Sequence, residues 1–320
     1  MTLRSALLVL LTLALPTILP AAAPAPSTPV LRAGASRIDF TPATDRLPAT
    51  YRGVLDPIYV RSLVLDNGNT RAALVAIDIG GLSTAVVAKV AARAAQELRI
   101  PQGQLLVSAT HTHSVPFGLD ASLEEKILQG LREAIAKLEP ARVASGTGQS
   151  YINVNRDRID PKTRRWWEGP NTEGDSDKTV AVLRVETPAG KPIAVYTNYA
   201  VHAVITGTLD LVSGDIPGAT SRYLEDALGD EVVALWTSGA AGDQNPIYFN
   251  QTYELRDLRI ADYAKRGEDI SNAMPPGGTG MDRDDPRVQR LMNQQKQMIL
   301  TYGQMLGEEV LHTMRESLQA

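Results

Sequence analysis

Hydrophobic and polar residues follow each other along the chain in blocks that predict a succession of strands and helices. Two apolar runs, at 61–68 and 71–80, have the length and β-branched content of strands. The two runs join near Asn67-Gly68, and this dipeptide favours a tight hairpin turn. The pattern therefore predicts an antiparallel pair near the start of the fold.

The next segment changes from a strand period to a helical one. Apolar residues recur at helical spacing over 82–100, and Pro101 follows the end of that run. The apolar segment 104–110 then predicts a buried strand. His111 and His113 come at the C-terminal end of this strand or in the loop after it, where open α/β sheets tend to bind ligands.

The rest of the chain continues the alternation of helices and strands. The pattern predicts helices at 119–139 and 217–228, and strands at 141–149, 178–187, 192–205 and 231–243. Residues 250–287 are polar and rich in Gly, Pro and Asp, which predicts a loop or a mobile insertion. Residues 287–320 carry Leu, Met and Ile every three or four positions, typical of a long helix with one docked face. Together these elements predict an α/β fold with a mixed β-sheet core, flanking helices and a long C-terminal helix.

The first residues predict export. One basic residue is followed by an apolar run over 6–15 and then by small residues, so residues 1–25 resemble a secretory signal peptide. Pro16 and Pro20 interrupt the run before it reaches the about 20 apolar residues of a spanning helix. We expect a secreted or periplasmic protein whose remaining residues are enough for one large domain or two small ones.

The amino-acid composition restricts the reactions, metal ligands and partners that the protein can have. The chain has no cysteine, so thiol chemistry is excluded and any metal site must use histidine and oxygen ligands. The formal net charge is -4 with both signs mixed along the chain. Such a chain offers no basic face on which a nucleic acid would release counterions, so no nucleic-acid partner is expected.

Three of the four histidines are candidate metal ligands. In an extended segment, residues i and i+2 project to the same side, so His111 and His113 can converge on one cation. Two polar groups at a strand end would look the same in sequence. His202 lies in an apolar run and needs a partner there, either a metal or a backbone carbonyl. His312 is expected to be structural.

Polar residues in two other segments could complete a site. Arg156 lies beside Asn153 and Asn155 and could hold a carboxylate or a polar substrate group, although a loop stitched together by asparagines fits equally well. Asp243 and Asn245 follow a buried strand and could reach a ligand or cap local amides.

Taken in order, several segments resemble the catalytic domain of the neutral/alkaline non-lysosomal ceramidases. The segments are AGASRIDFTPA, RGVLDPIYVRSLVLDNG, VAIDIGG, SATHTHS, NVNRD, TNYAVHAV and SGAAGDQNP. The resemblance covers about 31–246, and it identifies 31–320 as a ceramidase-like catalytic domain.

This resemblance implies a zinc-dependent hydrolase. Zinc would be held by His111 and His202, with a glutamate and a tyrosine from further along the chain, while His113 and Arg156 would belong to the active site. Family members are secreted or membrane-associated and cleave the N-acyl amide of ceramide. We therefore expect a lipid-amide or other small amide substrate and peripheral membrane contact.

Two departures from the family keep other functions open. The family motif Gly-Asp-Val-Ser-Pro-Asn has an essential serine where this chain has Asn245, which can donate a hydrogen bond but cannot be a nucleophile. The segments that supply the family's glutamate and tyrosine are expected to be missing, so Asp78, Asp215 or Asp243 could complete the site instead. The alternatives are a non-catalytic member that binds a lipid or glycan, and a metal hydrolase of a different amide.

Overall fold

The structure is a computed structural model that describes residues 30–116, 122–270, 280–316 and 318. The predicted signal peptide at 1–25 lies outside the described residues. The strands are β1 (Arg32–Asp39), β2 (Gly53–Val54), β3 (Tyr59–Asp66), β4 (Arg71–Ile77), β5 (Leu105–Ala109), β6 (Glu139–Pro140), β7 (Arg142–Gln149), β8 (Asn153–Ile159), β9 (Trp166–Asn171), β10 (Thr179–Glu186), β11 (Pro192–Tyr199), β12 (Leu211–Val212), β13 (Val233–Ser238) and β14 (Gln244–Pro246). The helices are α1 (Thr84–Leu98), α2 (Leu123–Ala136), α3 (Asp215–Leu228), α4 (Asn250–Lys265) and α5 (Pro286–Glu316).

Two mixed sheets form the centre of the fold. The first has the order β5-β4-β3-β1-β6, and the second has the order β13-β11-β10-β7. Most neighbouring strands are antiparallel, but β4 pairs with β5 and β11 pairs with β13 in parallel. Smaller sheets join β14 to β8 and β9, and β12 to β2. The predicted α/β class with mixed sheets, flanking helices and a long last helix is confirmed.

The sheets stack face to face, and helices cover their outer faces. Along β3, Val60 and Val64 pack against α1 and α2, whereas Leu63 points to the opposite face and packs on the second sheet. Alanines such as Ala33 and Ala194 fill the space between the sheets. The outer face of the second sheet packs on α3 and α5, with Trp236 in that core. The result is four layers, helix, sheet, sheet and helix.

Two expectations about local structure are wrong, and one alternative is excluded. The strand predicted at 192–205 ends at Tyr199, so His202 lies in the loop that follows. The segment around Arg156, for which a loop was one of two interpretations, forms strand β8. The polar segment 250–287 contains helix α4, which buries only a few residues and so lacks a strong apolar stripe; part of this segment lies outside the described residues.

The parallel strand pairs determine where the candidate site lies. Strand β5 ends two residues before His111, and the residues that follow β4 hydrogen-bond to His111. Strand β11 ends shortly before His202, and β13 ends shortly before Asp243. Since β13 also packs on β4 and β5, these carboxyl ends come together at one edge of the two stacked sheets.

Candidate metal centre

Backbone hydrogen bonds hold the three histidine-bearing segments against one another. The amide of His111 donates to the carbonyl of Ile79 (3.0 Å), and the amide of His113 donates to that of Ala203 (3.0 Å). The amide of His202 donates to the carbonyl of Gln244 (2.7 Å). Each histidine is thus fixed by a segment that follows a different strand.

The two histidines of the His-Thr-His segment do not converge through an extended backbone. His111 has φ 64°, in the left-handed region that residues with a Cβ rarely adopt, and β5 has already ended at Ala109. The chain therefore turns at His111, and this turn brings its ring toward His113. The expected proximity is confirmed, but the geometry predicted for it is wrong.

The imidazole rings of His111, His113 and His202 form a compact cluster. The Nε2 atom of His113 lies 3.4 Å from Nε2 of His111 and 3.1 Å from Nε2 of His202. One nitrogen from each ring can be chosen so that all three lie within 4.8 Å of one another. Nitrogens that share a tetrahedral zinc at 2.0–2.1 Å are about 3.3 Å apart, so the two short separations match the edges of such a site.

Hydrogen bonds on the other ring nitrogens set the tautomers. Nδ1 of His111 lies 2.6 Å from the carbonyl oxygen of Gly80, and Nδ1 of His202 lies 2.9 Å from that of Ala241. A carbonyl can only accept, so both Nδ1 atoms carry the proton and both Nε2 atoms present a lone pair to the centre of the cluster. Two lone pairs directed into the same cluster suit a shared cation.

Burial keeps the imidazole rings of His113 and His202 neutral. Desolvation, followed by the neighbouring rings and Arg156, lowers the pKa of His113 to about 4. Burial likewise lowers the pKa of His202. Neutral imidazole is the form that binds metal, so the donor set fits a zinc ion at neutral pH.

The aspartates considered from sequence are engaged elsewhere. Asp78 pairs with buried Arg61, Asp215 accepts from Thr206, and Asp243 accepts from Asn155 and from the side-chain amide of Gln244. Among the described residues, the group with metal-ligand spacing consists of the three histidines alone. The expectation that one of these aspartates completes the site is not supported. His312 lies on the exposed face of α5, outside the cluster.

A polar group of three side chains lies beside the histidines. Arg156 contacts Oε1 of Glu168 (3.5 Å) and Oδ1 of Asn245 (3.4 Å), and Nδ2 of Asn245 donates to Oε1 of Glu168 (2.7 Å). The charge of Arg156 contributes to the lowered pKa values of both His113 and His202, which places the two groups within electrostatic reach. Nε of Arg156 is buried and has no hydrogen-bond partner among the described residues, so it is free to donate to a ligand. The predicted residues Arg156 and Asn245 are thus brought together.

Sequence reasoning missed one member of this group, Glu168, and one neighbour of it, Tyr253. Glu168 comes from β9, in a segment to which no element was assigned, and Tyr253 comes from α4, in the segment predicted as a loop. The hydroxyl of Tyr253 lies 3.5 Å from Nδ2 of Asn245, and burial, followed by the charge of Glu168, raises its pKa to about 12. Pairing of β8 with β9, which sets Glu168 opposite Asp157, is the signal that would have revealed the glutamate.

A cavity of about 520 Å³ lies away from these residues, between β10 and the C-terminal part of α5. Its lining includes Arg184, Glu186 and Met314 and no residue of the histidine cluster. The described residues that line this cavity form no cluster of metal-binding side chains comparable to the three imidazoles.

Comparison with known proteins places this geometry in a family. A family model described as neutral/alkaline non-lysosomal ceramidase, N-terminal, matches residues 46–296, which include all three clustered histidines. The chain belongs to this family. The resemblance inferred from the sequence motifs is therefore confirmed.

Relatives with curated names are neutral ceramidases. Neutral ceramidase B of Dictyostelium discoideum is 31% identical over 143 residues, which are 39% of this chain and 20% of that protein. The neutral ceramidase of Drosophila melanogaster is 28% identical over 198 residues, which are 54% of this chain and 28% of that protein. The matched regions thus span less than a third of these relatives' length.

Solved structures share the fold. The crystal structure of neutral ceramidase from Pseudomonas aeruginosa matches with a TM-score of 0.62 at 17% identity, over 90% of this chain and 46% of that one. A ceramidase complexed with C2 matches with the same TM-score at 18% identity, over 90% of this chain and 45% of that one. The chain therefore spans about half the length of the solved structures that it matches.

Proposed function

We propose that the protein is a zinc-dependent hydrolase that cleaves the N-acyl amide bond of ceramide or a related lipid amide. The observation that carries this proposal is the convergence of three imidazole nitrogens, two of them with lone pairs directed inward by hydrogen bonds on Nδ1. Family membership and the names of the relatives support the substrate class. The reaction consumes one water and releases a fatty acid and an amine.

His111 and His202 would hold the zinc ion, because their Nε2 lone pairs are fixed by the carbonyls of Gly80 and Ala241. Bound zinc would supply an activated water, with its pKa lowered to about 7, and would polarise the amide carbonyl. His113, with its Nε2 within 3.4 Å of both partners, has two roles open to it, as a third ligand or as a neighbour of the reacting carbonyl.

Zinc content separates these two roles of His113. Replacing a ligand lowers zinc affinity, whereas replacing a residue that contacts only the substrate leaves zinc in place and lowers kcat. The variant His113→Gln, measured for zinc content and for kcat on the same preparation, assigns the role.

The neighbouring polar group would act on the substrate. Arg156 offers a buried, unpartnered N–H to the carbonyl oxygen as negative charge develops on it, and Asn245 supports the arginine through its Oδ1. Glu168 contacts both of these side chains. We assign to its carboxylate the transfer of a proton from the attacking water to the departing amine nitrogen.

The test is hydrolysis of a fluorescent N-acyl sphingosine by the zinc-loaded protein. We expect release of fatty acid by the wild type, loss of activity in His202→Ala, and wild-type activity in the matched variant His312→Ala. Fatty-acid release that persists in a His111→Ala, His202→Ala double variant would rule out this mechanism. Glu168→Gln should lower kcat by about 100-fold while zinc remains bound.

A second candidate is a non-catalytic member that binds a lipid or glycan, which Asn245 at the position of the family's serine favours. A third is a metal hydrolase of a different amide, which the aromatic content of 5% favours. A panel of N-acylated sphingoid bases, amino sugars and amino acids separates the candidates. Preference for an N-acyl sugar or peptide over every lipid would replace the ceramide assignment. Tight binding of a lipid without turnover would identify a binding protein.

We also propose export through residues 1–25 and folding of residues 31–320 as a catalytic domain. Among the described residues, no helix is both long and apolar enough to cross a membrane. N-terminal sequencing of the protein recovered from its source tests the export proposal, which requires a start between positions 22 and 28.

A further inference from the structure

The hairpin formed by β8 and β9 carries a set of exposed apolar side chains. Ile159, Trp166 and Trp167 are 59%, 55% and 43% exposed. Ile159 pairs with Trp166 across the ribbon, and Arg158 pairs with Trp167. Directly opposed residues share a face and successive pairs alternate, so both faces of the ribbon tip present an exposed tryptophan.

The tip of this hairpin is basic although the chain as a whole is acidic. Residues 158–167 hold four basic side chains, all exposed, and one acidic one. Lys162, Arg164 and Arg165 take part in no ion pair among the described residues, and Asp160 accepts hydrogen bonds from the backbone of the turn. These positive charges are therefore available to an external partner. They form a basic patch on a chain whose formal net charge is -4.

The base of the same hairpin belongs to the candidate site. Arg156 lies on β8 and Glu168 on β9, and both contact Asn245. Ile159 lies three positions further along β8 than Arg156, which in a strand is about 10 Å. Whatever medium surrounds the tip therefore lies within about 10 Å of the site.

We propose that the β8–β9 hairpin docks the protein on a bilayer that contains anionic lipids, with Trp166 and Trp167 in the headgroup region. Tryptophan combines an apolar ring with an N–H donor and is enriched at membrane interfaces. Basic residues beside it are attracted to anionic headgroups. This inference deepens the proposed function, because the polar amide of a membrane lipid lies at the interface and would need to travel only a short distance to the site.

Tryptophan fluorescence gives a direct test. The chain has three tryptophans, and Trp236 is 1% exposed in the core, so a change of emission on binding reports the hairpin pair. The full chain is mixed with vesicles of phosphatidylcholine alone or with about one third phosphatidylglycerol. We expect a blue shift and co-sedimentation with the anionic vesicles, weakened by salt.

Two hairpin variants and a matched control complete the design. Arg164→Glu with Arg165→Glu, and Trp166→Ala with Trp167→Ala, should each weaken vesicle binding by about tenfold or more. Leu300→Ala with Met305→Ala removes exposed apolar side chains from α5 and should bind like the wild type. Circular dichroism checks that each variant is folded.

Vesicle binding is measured without turnover, so its outcome is separate from that of the hydrolase proposal. Equal binding of wild type and hairpin variants, no binding to anionic vesicles, or a hairpin that is covered by a second copy of the chain in solution would overturn the docking proposal. If the protein hydrolyses lipid amides, the hairpin variants should lose activity on vesicle-embedded substrate and keep it on a short-chain soluble amide. Equal loss on both substrates would contradict a docking role.

Discussion

The Nε2 atoms of His113 and His202 lie 3.1 Å apart although 89 positions separate the two residues in the chain. Their backbones are also linked, since the amide of His113 donates to the carbonyl of Ala203. The cluster is therefore assembled by the ends of strands from both stacked sheets. Its integrity should depend on contacts that hold those sheets together.

One such contact is the buried pairing of Arg61 with Asp78 and Glu225. The guanidinium, 2% exposed, lies 2.9 Å from each carboxylate and joins the first sheet to α3. Arg61→Met leaves the buried carboxylate of Asp78 without its ion-pair partner and leaves Glu225 with Arg37 alone, so we expect a loss of about 3–5 kcal/mol in the free energy of unfolding in urea. Arg93→Met removes a partly exposed guanidinium with three carboxylate partners and should cost far less. Equal costs for the two variants would contradict this account.

Close packing of α2 on β1 gives a second prediction. A Cβ at Gly34 would lie 2.1 Å from the carbonyl oxygen of Ala134 and 2.9 Å from the amide nitrogen of Leu138. Both atoms belong to the backbone and cannot turn aside, so Gly34→Ala should destabilise the protein by about 3 kcal/mol in urea unfolding. At Gly103 a Cβ meets no atom within 4 Å, and Gly103→Ala should leave the unfolding midpoint nearly unchanged. A neutral Gly34→Ala would mean that the helix lies further from the sheet.

The buried carboxyl of Asp215 should make the free energy of unfolding depend on pH. Burial raises the pKa of this carboxyl to about 6, although Thr206 hydrogen bonds partly oppose the shift. Between about pH 4 and pH 6 the folded state therefore holds a proton that the unfolded state has released. The penalty for ionising the buried group is full above pH 6 and is relieved as the pH falls.

The measurement compares the wild type with Asp215→Asn at pH 7.5 and pH 5. Lowering the pH should raise the free energy of unfolding of the wild type, relative to the variant, by about 1 kcal/mol. Any cost from altered hydrogen bonds in the variant is present at both pH values and cancels in this difference. A difference of opposite sign would show that Asp215 is ionised in the folded state at pH 5.

Replacing Asn245 with the serine of the family motif should lower the activity on the amide substrate. The side-chain amide of Asn245 reaches both Glu168 and Arg156, whereas the shorter hydroxyl of Asn245→Ser would lose at least one of these contacts. In the zinc-dependent mechanism that we propose, the serine is not needed as a nucleophile, so kcat/KM for the amide substrate should fall by about tenfold or more. A gain in kcat/KM would indicate a nucleophilic mechanism that this chain has lost.

The sequence was informative where a single local period dominates. The helix predicted at 82–100, the strand at 104–110 and the long last helix all occur as expected, at Thr84–Leu98, Leu105–Ala109 and Pro286–Glu316. Each has a regular apolar stripe or run. The stacking of two sheets was not predicted, because strand alternation says which residues face inward but not which strands share a sheet.

The candidate site was predicted in part. The resemblance of the motifs to those of the family predicted that His111, His113 and His202 lie close together. The left-handed turn at His111 could not be predicted, because the φ angle of a single residue leaves no periodic signal in the sequence. Glu168 was missed because its place beside Arg156 depends on the pairing of two short strands. Tyr253 was missed because α4 is polar on most of its surface.

The central claim is that the histidine cluster binds zinc through His111 and His202, and the most direct test is the zinc content of the purified protein after loading and dialysis. We predict about one zinc per chain in the wild type and in His312→Ala, with nitrogen ligands in X-ray absorption, and none in the His111→Ala, His202→Ala double variant. A wild type that retains no zinc, or a double variant that retains as much as the wild type, would contradict the account.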